Sequence, residues 1–406
     1  MSYPFEKPIK LPFYGGERTL IKRDAMVVKI ETDVGLVGWA PAEGSEKARH
    51  AITNVIAPFL EGRTLADNDA IRVQFMGGPG ADPVKGPELI KTYCSVEIAL
   101  LDLLGKMHHV PVSELLGGRV RDRIRLYGSA GMYMSPEGYA REASAIAALG
   151  FRAYKMRPAG GPEVDLQTVK AMREAVGPDF ELMVDAHSWW RMGDSSYTQE
   201  TVEHLAEEMS RHGIAWLEEP MPPDDHDAYL RLREKDIVPL ASGEHEPSEE
   251  RYLDLILTHA VDYVQMDVCC QGGLAMARRL FGEIAREHLK FAFHSWGTAL
   301  EVVAAAHLGI CWPETVVEWL EYPCYSTATL QSMYPFPLAA EILSDPLQID
   351  HGDLIVPREP GLGVKIDERV FEKYPWIPGP WSFFRTDSPA ETFAVTSDHS
   401  IKWEQA

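Results

Sequence analysis

From Leu126 onward the chain repeats one unit, a short apolar run followed by an amphipathic helical stretch, at a period of roughly 25–30 residues. The apolar runs are Leu126–Ala130, Ala153–Arg157, Leu182–Asp185, Ala215–Glu218, Pro239–Gly243, Tyr263–Asp267, Phe291–His294 and Val316–Leu320. After the second run, Val164, Leu166, Val169, Met172 and Val176 recur at helical spacing until Gly177-Pro178 stops the helix. Strands that alternate with helices cannot pair as hairpins, so they form a parallel sheet, and eight of them close it. The fold class is α/β, a TIM-type (β/α) barrel, over residues 126–349.

Residues 1–125 read differently, as an α+β domain. Ala25–Thr32, a turn at Asp33-Val34-Gly35 and Leu36–Ala40 make a hairpin. Helical periodicity follows over Lys47–Leu60 and again over Ser95–Met107, where Val96, Ala99, Leu100, Leu103 and Leu104 share a face, and Gly117-Gly118 ends the unit. The segment 350–406, with Pro360-Gly361-Leu362-Gly363 and many aromatics, is expected to be irregular and to pack back on the N-terminal domain.

A formal net charge of −22 argues against nucleic acid and anionic membranes as partners. It leaves room for an anionic small molecule, because a bound cation reverses the local field. Met1-Ser2-Tyr3-Pro4 opens no signal peptide, and the longest apolar stretch, Val302–Ile310, is too short to span a bilayer. Five cysteines without metal-site spacing read as reduced, which predicts a cytoplasmic protein. The adjacent Cys269-Cys270 receive no role.

Barrel enzymes build their sites at the C-terminal ends of the strands. Here those ends carry Lys155-Met156-Arg157, Asp185, Glu218-Glu219, Glu244-His245, Asp267, His294, and Glu318 with Glu321. A purely structural barrel has no use for so many ionisable ends, since each loses hydration unless it is paired or metal-bound. Asp185, Glu218 and Glu244 come from adjacent strands and would repel one another without a hard divalent cation between them. Oxygen donors with no competing Cys or His cluster suit Mg²⁺. Asp267 and His294 end neighbouring strands, so the carboxylate can orient the imidazole as a general base. His187 and His245 lie beside metal-ligand positions and face the substrate or bond to loop backbone. Trp189-Trp190 forms an apolar wall or a packed pair.

These residues resemble the enolase superfamily, and within it the mandelate racemase subgroup. The acids match in Met183-Val184-Asp185-Ala186, Trp216-Leu217-Glu218-Glu219-Pro220 and Ser242-Gly243-Glu244-His245. The His–Asp dyad matches His294 and Asp267, with Gly272-Gly273 following, and the N-terminal domain matches through Ala99–Asp102 and Leu115–Gly118. The resemblance implies a modified, enolase-like barrel under an N-terminal capping domain, with cap loops near Phe13–Gly16 and Ala42–Gly44 reading the far end of a substrate. It is similar most of all to acid-sugar dehydratases such as rhamnonate dehydratase. It puts the electrophilic acid of the eighth strand on Glu318, with Glu321 as the alternative, and implies a homo-oligomer. One position departs from the subgroup. Its frequent Lys-x-Lys, in which the second Lys is a base, is here Lys155-Met156-Arg157, and an Arg is a poor proton acceptor.

The expectation is Mg²⁺-dependent dehydration of a sugar acid, aldonate or aldarate, to a 2-keto-3-deoxy acid. His294 takes the C2 proton, and Lys155, Arg157 and Glu318 assist at the carboxylate. Racemisation needs groups on both faces of C2, whereas elimination can use one residue for both proton transfers. A 2-hydroxy-acid epimerase and a non-catalytic acid-sugar binding protein stand as alternatives. A barrel hydrolase with His-x-His on its first strand does not, since Leu126–Ala130 has no histidine.

Overall fold

The computed structural model describes residues 1–65, 68–77, 87–324, 335–386, 392–395 and 401–404. The N-terminal domain opens with two antiparallel strands that sequence pattern did not reveal, β1 (Ser2–Phe13) and β2 (Gly16–Asp24). The hairpin β3 (Met26–Glu31) and β4 (Val37–Ala42) follows in the expected place, with Met26 opposite Ala42. Behind it runs the helix Pro87–His108, which buries Val96, Ala99, Leu100, Leu103 and Leu104.

The barrel strands are β5 (Arg123–Ser129), β6 (Ala153–Met156), β7 (Glu181–Asp185), β8 (Ile214–Glu218), β9 (Leu240–Ser242), β10 (Tyr263–Met266), β11 (Lys290–Phe293) and β12 (Val317–Pro323). Each pairs in parallel with the next, and β12 returns to β5. The closed sheet is the TIM-type barrel that the repeat pattern implied.

The tail is more regular than expected. β13 (Ile349–Asp350) and β14 (Asp353–Ile355) extend the barrel sheet from β5, and β15 (Ser382–Thr386) pairs with β2. β16 (Thr392–Val395) and β17 (Ile401–Glu404) complete that N-terminal sheet. The rest of the tail beyond Thr386 lies outside the described residues.

The barrel interior explains where function can sit. Tyr127, Ala153, Met183, Trp216, Ala241, Ala292 and Trp319 form one apolar plug across the strands. Side chains alternate along a strand with period two, so the next inward layer lies two residues further on. That layer is Ser129, Lys155, Asp185, Glu218, Gly243, His294 and Glu321. An apolar floor therefore carries a layer dominated by ionisable groups at the C-terminal mouth.

All five cysteines are free. Among the described residues no helix is long and apolar enough to cross a membrane.

Candidate active site

Lys155 is the centre of the polar layer. It is fully buried, and its Nζ lies 2.6 Å from Glu218 Oε1, 3.4 Å from Glu321 Oε1 and 3.5 Å from Asp185 Oδ2. Burial alone would lower the ammonium's pKa. The charges of Glu218, Glu321 and Asp185 more than reverse this and hold it well above its ordinary value. Arg157 is treated in the same way: burial works against its charge, and Asp185 and Glu321 restore it. Its Nε is 2.9 Å from Asp185 Oδ2, its Nη2 2.9 Å from Glu321 Oε1, and its Nη1 donates to Ser129 Oγ at 2.8 Å. The guanidinium lies 3.8 Å over the Trp296 ring. Neither residue is an available proton acceptor in this arrangement.

Asp185, Glu218 and Glu244 each offer an oxygen within 4.8 Å of the others. Burial pushes Glu218 up, and the neighbouring acids Asp185, Glu244 and Glu321 add to that push while Lys155 opposes it. Burial also penalises charge on Asp185 and Glu244, yet both stay below their ordinary range, Asp185 through His187, Lys155 and Arg157, and Glu244 through His294 and His245. Asp185 Oδ2 and Glu244 Oε2 are buried and have no hydrogen bond of good geometry. Three hard oxygens with acceptor capacity left over fit a divalent cation such as Mg²⁺. A second grouping, Glu219, Glu244 and His245, is less suited, because His245 Nδ1 is already committed to Glu219 Oε2 at 2.6 Å. Gly243 helps to aim Glu244: its φ is +134°, and a Cβ there would lie 2.2 Å from the Gln265 carbonyl oxygen.

His294 closes the other side. Its Nε2 lies 3.0 Å from Glu244 Oε2 and its Nδ1 3.4 Å from Asp267 Oδ2, an ion pair rather than a formed hydrogen bond. Asp267 is itself anchored, since Oδ1 accepts from the backbone N–H groups of Cys269 at 2.9 Å and Cys270 at 3.0 Å. Burial would lower the His294 pKa, but Glu244, Glu321 and Asp267 push it up to about 10. His187 Nδ1 lies 2.6 Å from Asp185 Oδ1, and His187 and His245 stand with ring centroids 6.2 Å apart.

One expected residue is not in this constellation. Glu318 bonds Lys290 Nζ at 2.7 Å and the Tyr263 hydroxyl at 2.8 Å, and lies 3.7 Å from Arg125 Nη1. The register explains the correction. Phe291 faces Val317 while Ala292 faces Trp319, so Glu318 is the extra residue of a bulge, and its partners Lys290 and Arg125 stand two residues before the plug residues Ala292 and Tyr127, at the N-terminal end of the barrel and across the plug from the site. Glu321, two residues beyond Trp319, takes the inward position. It is fully buried, and Lys155, His294 and Arg157 outweigh its burial and keep it ionised. It accepts from Ser295 N at 3.1 Å, so it steadies cations rather than donating a proton.

Several participants were not singled out from sequence. Gln265 Nε2 donates to Glu218 Oε2 at 2.8 Å, and Trp216 Nε1 to the same oxygen at 3.1 Å. Ser129 was findable by period-two counting from Tyr127 of the plug, and Gln265 by the same count from Tyr263, which packs against it. Trp189 is wholly buried and bonds Asp165, so it belongs to the core, whereas half-buried Trp190 stands by His245. From the cap, Tyr14 N donates to Ala159 O at 2.6 Å and its ring meets Tyr197, so the β1–β2 turn rests on barrel loops. The other cap loop brings Glu43 within 3.2 Å of Lys91.

The mandelate racemase/muconate lactonizing enzyme N-terminal domain model matches residues 3–117, and the enolase C-terminal domain-like model matches residues 138–370. The chain belongs to the mandelate racemase subgroup of the enolase superfamily. Among curated members, D-galactarolactone cycloisomerase of Agrobacterium fabrum is 28% identical over 379 residues, covering 92% of this chain and 97% of that one. D-xylonate dehydratase of Haloferax volcanii is 29% identical, with 86% of this chain and 85% of that one covered. The crystal structure of the 3,6-anhydro-D-galactonate cycloisomerase from Zobellia galactanivorans superposes with a TM-score of 0.76 at 29% identity, over 91% of this chain and 97% of that one. Asp185, Glu218 and Glu244 stand together at the barrel mouth, and His294 stands beside Asp267.

Proposed function

We propose that this protein is a Mg²⁺-dependent acid-sugar dehydratase that turns a 2,3-dihydroxy acid into a 2-keto-3-deoxy acid. The observation that carries the reading is the asymmetry of the basic groups. Lys155 and Arg157 are locked as cations, and His294 is the imidazole backed by an anchored carboxylate. A named dehydratase among the relatives supports it.

Asp185, Glu218 and Glu244 would hold the cation, which when bound would supply Lewis-acid polarisation of the substrate carboxylate. His294 acts from its neutral form, with Nε2 as the proton acceptor and Nδ1 turned to Asp267. His294 then takes the C2 proton, while Lys155 and Arg157 stabilise the negative charge that develops on the carboxylate oxygens. The electron pair moves into the C2–C3 bond, the C3–O bond breaks, and the departing hydroxyl takes the proton back from His294 as water. The enol tautomerises to the ketone. Asp267 fixes the imidazole, and Glu321 holds both cations in place. We further propose a cytoplasmic location, in keeping with five free thiols.

The test is a screen of mono- and diacid sugars with Mg²⁺, with a carbonyl reagent reporting keto acid and His294→Asn as control. A product lost by roughly 10²–10⁴-fold in the variant supports the proposal. The cycloisomerase relative makes ring opening the second reading. Consumption of a lactone without net loss of water, or C2 deuterium exchange in both epimers at similar rates, would replace dehydration.

A further inference from the structure

The loop after β7 sets a guanidinium beside this site that the chemistry above does not use. Arg191 lies 4.4 Å over the Trp190 ring, and its Nη2 is 2.5 Å from His245 Nε2. An arginine can only donate, so His245 Nε2 accepts and Nδ1 carries the proton, which goes to Glu219 Oε2 at 2.6 Å. Glu219 is wholly buried, and its backbone oxygen accepts from Trp190 Nε1 at 3.0 Å. The series Glu219–His245–Arg191, braced by Trp190, fixes where the guanidinium stands.

The other two cations of the site are matched by acids, Lys155 by three and Arg157 by two. Arg191 differs. Among the described residues no carboxylate pairs with it, and its Nε is buried without a hydrogen bond. A partly desolvated guanidinium lacking a counter-charge is unfavourable unless a ligand supplies one. Its position is informative as well. His245 Nδ1 is 3.4 Å from Glu244 Oε1, so Arg191 stands one imidazole's breadth beyond the acid cluster that faces the reacting end.

We propose that Arg191 binds the far carboxylate of the substrate, which makes the substrate an aldarate, a sugar acid with a carboxylate at each end. The inference rests on the acid-sugar reading above. The planar fork of an arginine matches a carboxylate in two parallel hydrogen bonds. The terminal CH₂OH of an aldonate would leave the charge unmatched.

Calorimetric binding to Mg²⁺-loaded His294→Asn protein compares aldarates with aldonates of the same C2–C5 stereochemistry, across a panel of stereoisomers. The best aldarate is expected to bind roughly 10- to 100-fold tighter than its matched aldonate. Arg191→Gln should erase that preference, and Arg191→Lys should keep part of it. Equal affinities, no binding of either class, or a preference that survives in Arg191→Gln overturns the proposal. Keto-acid formation by the unmodified enzyme is read separately. An aldarate preference in binding without product would refute dehydration and leave the carboxylate subsite standing.

Discussion

Lys155 shows what the site demands of one residue. A wholly buried ammonium is expelled from an ordinary core, and here it persists because Glu218, Glu321 and Asp185 surround it. The dependence is mutual, since the acids are equally exposed to one another once the ammonium is gone. Lys155→Met should therefore destabilise the protein by roughly 3–5 kcal/mol in the presence of chelator, because it leaves buried charges uncompensated. Saturating Mg²⁺ should recover part of that loss, since a cation bound only by the native state adds stability by mass action. Urea melts with and without Mg²⁺ measure both numbers. Equal losses under the two conditions would mean that Lys155 and the metal do not share the same acids.

The strands decide which acids meet. The eight-stranded repeat and the cap hairpin were legible because each is a local pattern closed by a short-range rule, and the acid trio and the dyad because that repeat brings the ends of their strands to one mouth. The bulge at Glu318 was not, because it arises from how β11 and β12 mate, and one extra residue reverses which side chain points inward. β2 was missed for a related reason: one of its two partners is β15, more than 350 residues away in sequence. The bulge makes a sharp prediction. Glu318→Gln should leave kcat/KM within roughly threefold, as for a substitution away from the site. Glu321→Gln should lower it by roughly 10²-fold or more, since it loosens both Lys155 and Arg157. Steady-state kinetics of the two variants decide between them. A second element-level effect lies where the cap helix Pro87–His108 meets the helix Gly273–Arg286. Glu97 is buried there, paired with Arg72 at 3.4 Å and bonded by Asn68 at 3.1 Å. Its Oε2 has no hydrogen bond and faces Gly273. Burial raises its pKa to about 7, against the partial opposition of Arg72 and Asn68. The folded state then holds a proton that the unfolded chain releases at lower pH. Its contribution to stability is complete below about 4.5 and is lost as pH rises through about 7. Unfolding free energies measured between pH 5 and 8 should fall along that window, and Glu97→Gln should flatten the fall.

At the scale of the molecule, the two chain ends are joined by a sheet that neither contains alone. β2 pairs with β1 on one side and β15 on the other, and Arg18 on β2 lies 4.5 Å over Trp381 and 4.6 Å over Phe384. The turn between β1 and β2 touches the barrel loops through Tyr14, so the tail backs the strand that carries this turn. The barrel closes through β12 and β5 and needs nothing from that sheet. Removal of residues 382–406 should therefore leave the barrel and its acid cluster formed while uncovering one edge of β2. Amide hydrogen exchange should accelerate in β2 and the β1–β2 turn and stay slow in β6 through β11. Turnover should weaken mainly through KM, because the reacting groups remain in place and the cap turn that rests on the barrel loops is the part loosened. Exchange that rises equally in the barrel strands would show that the tail stabilises the whole chain rather than the cap. Unchanged exchange in β2 would show that β1 alone holds that strand and its turn in place.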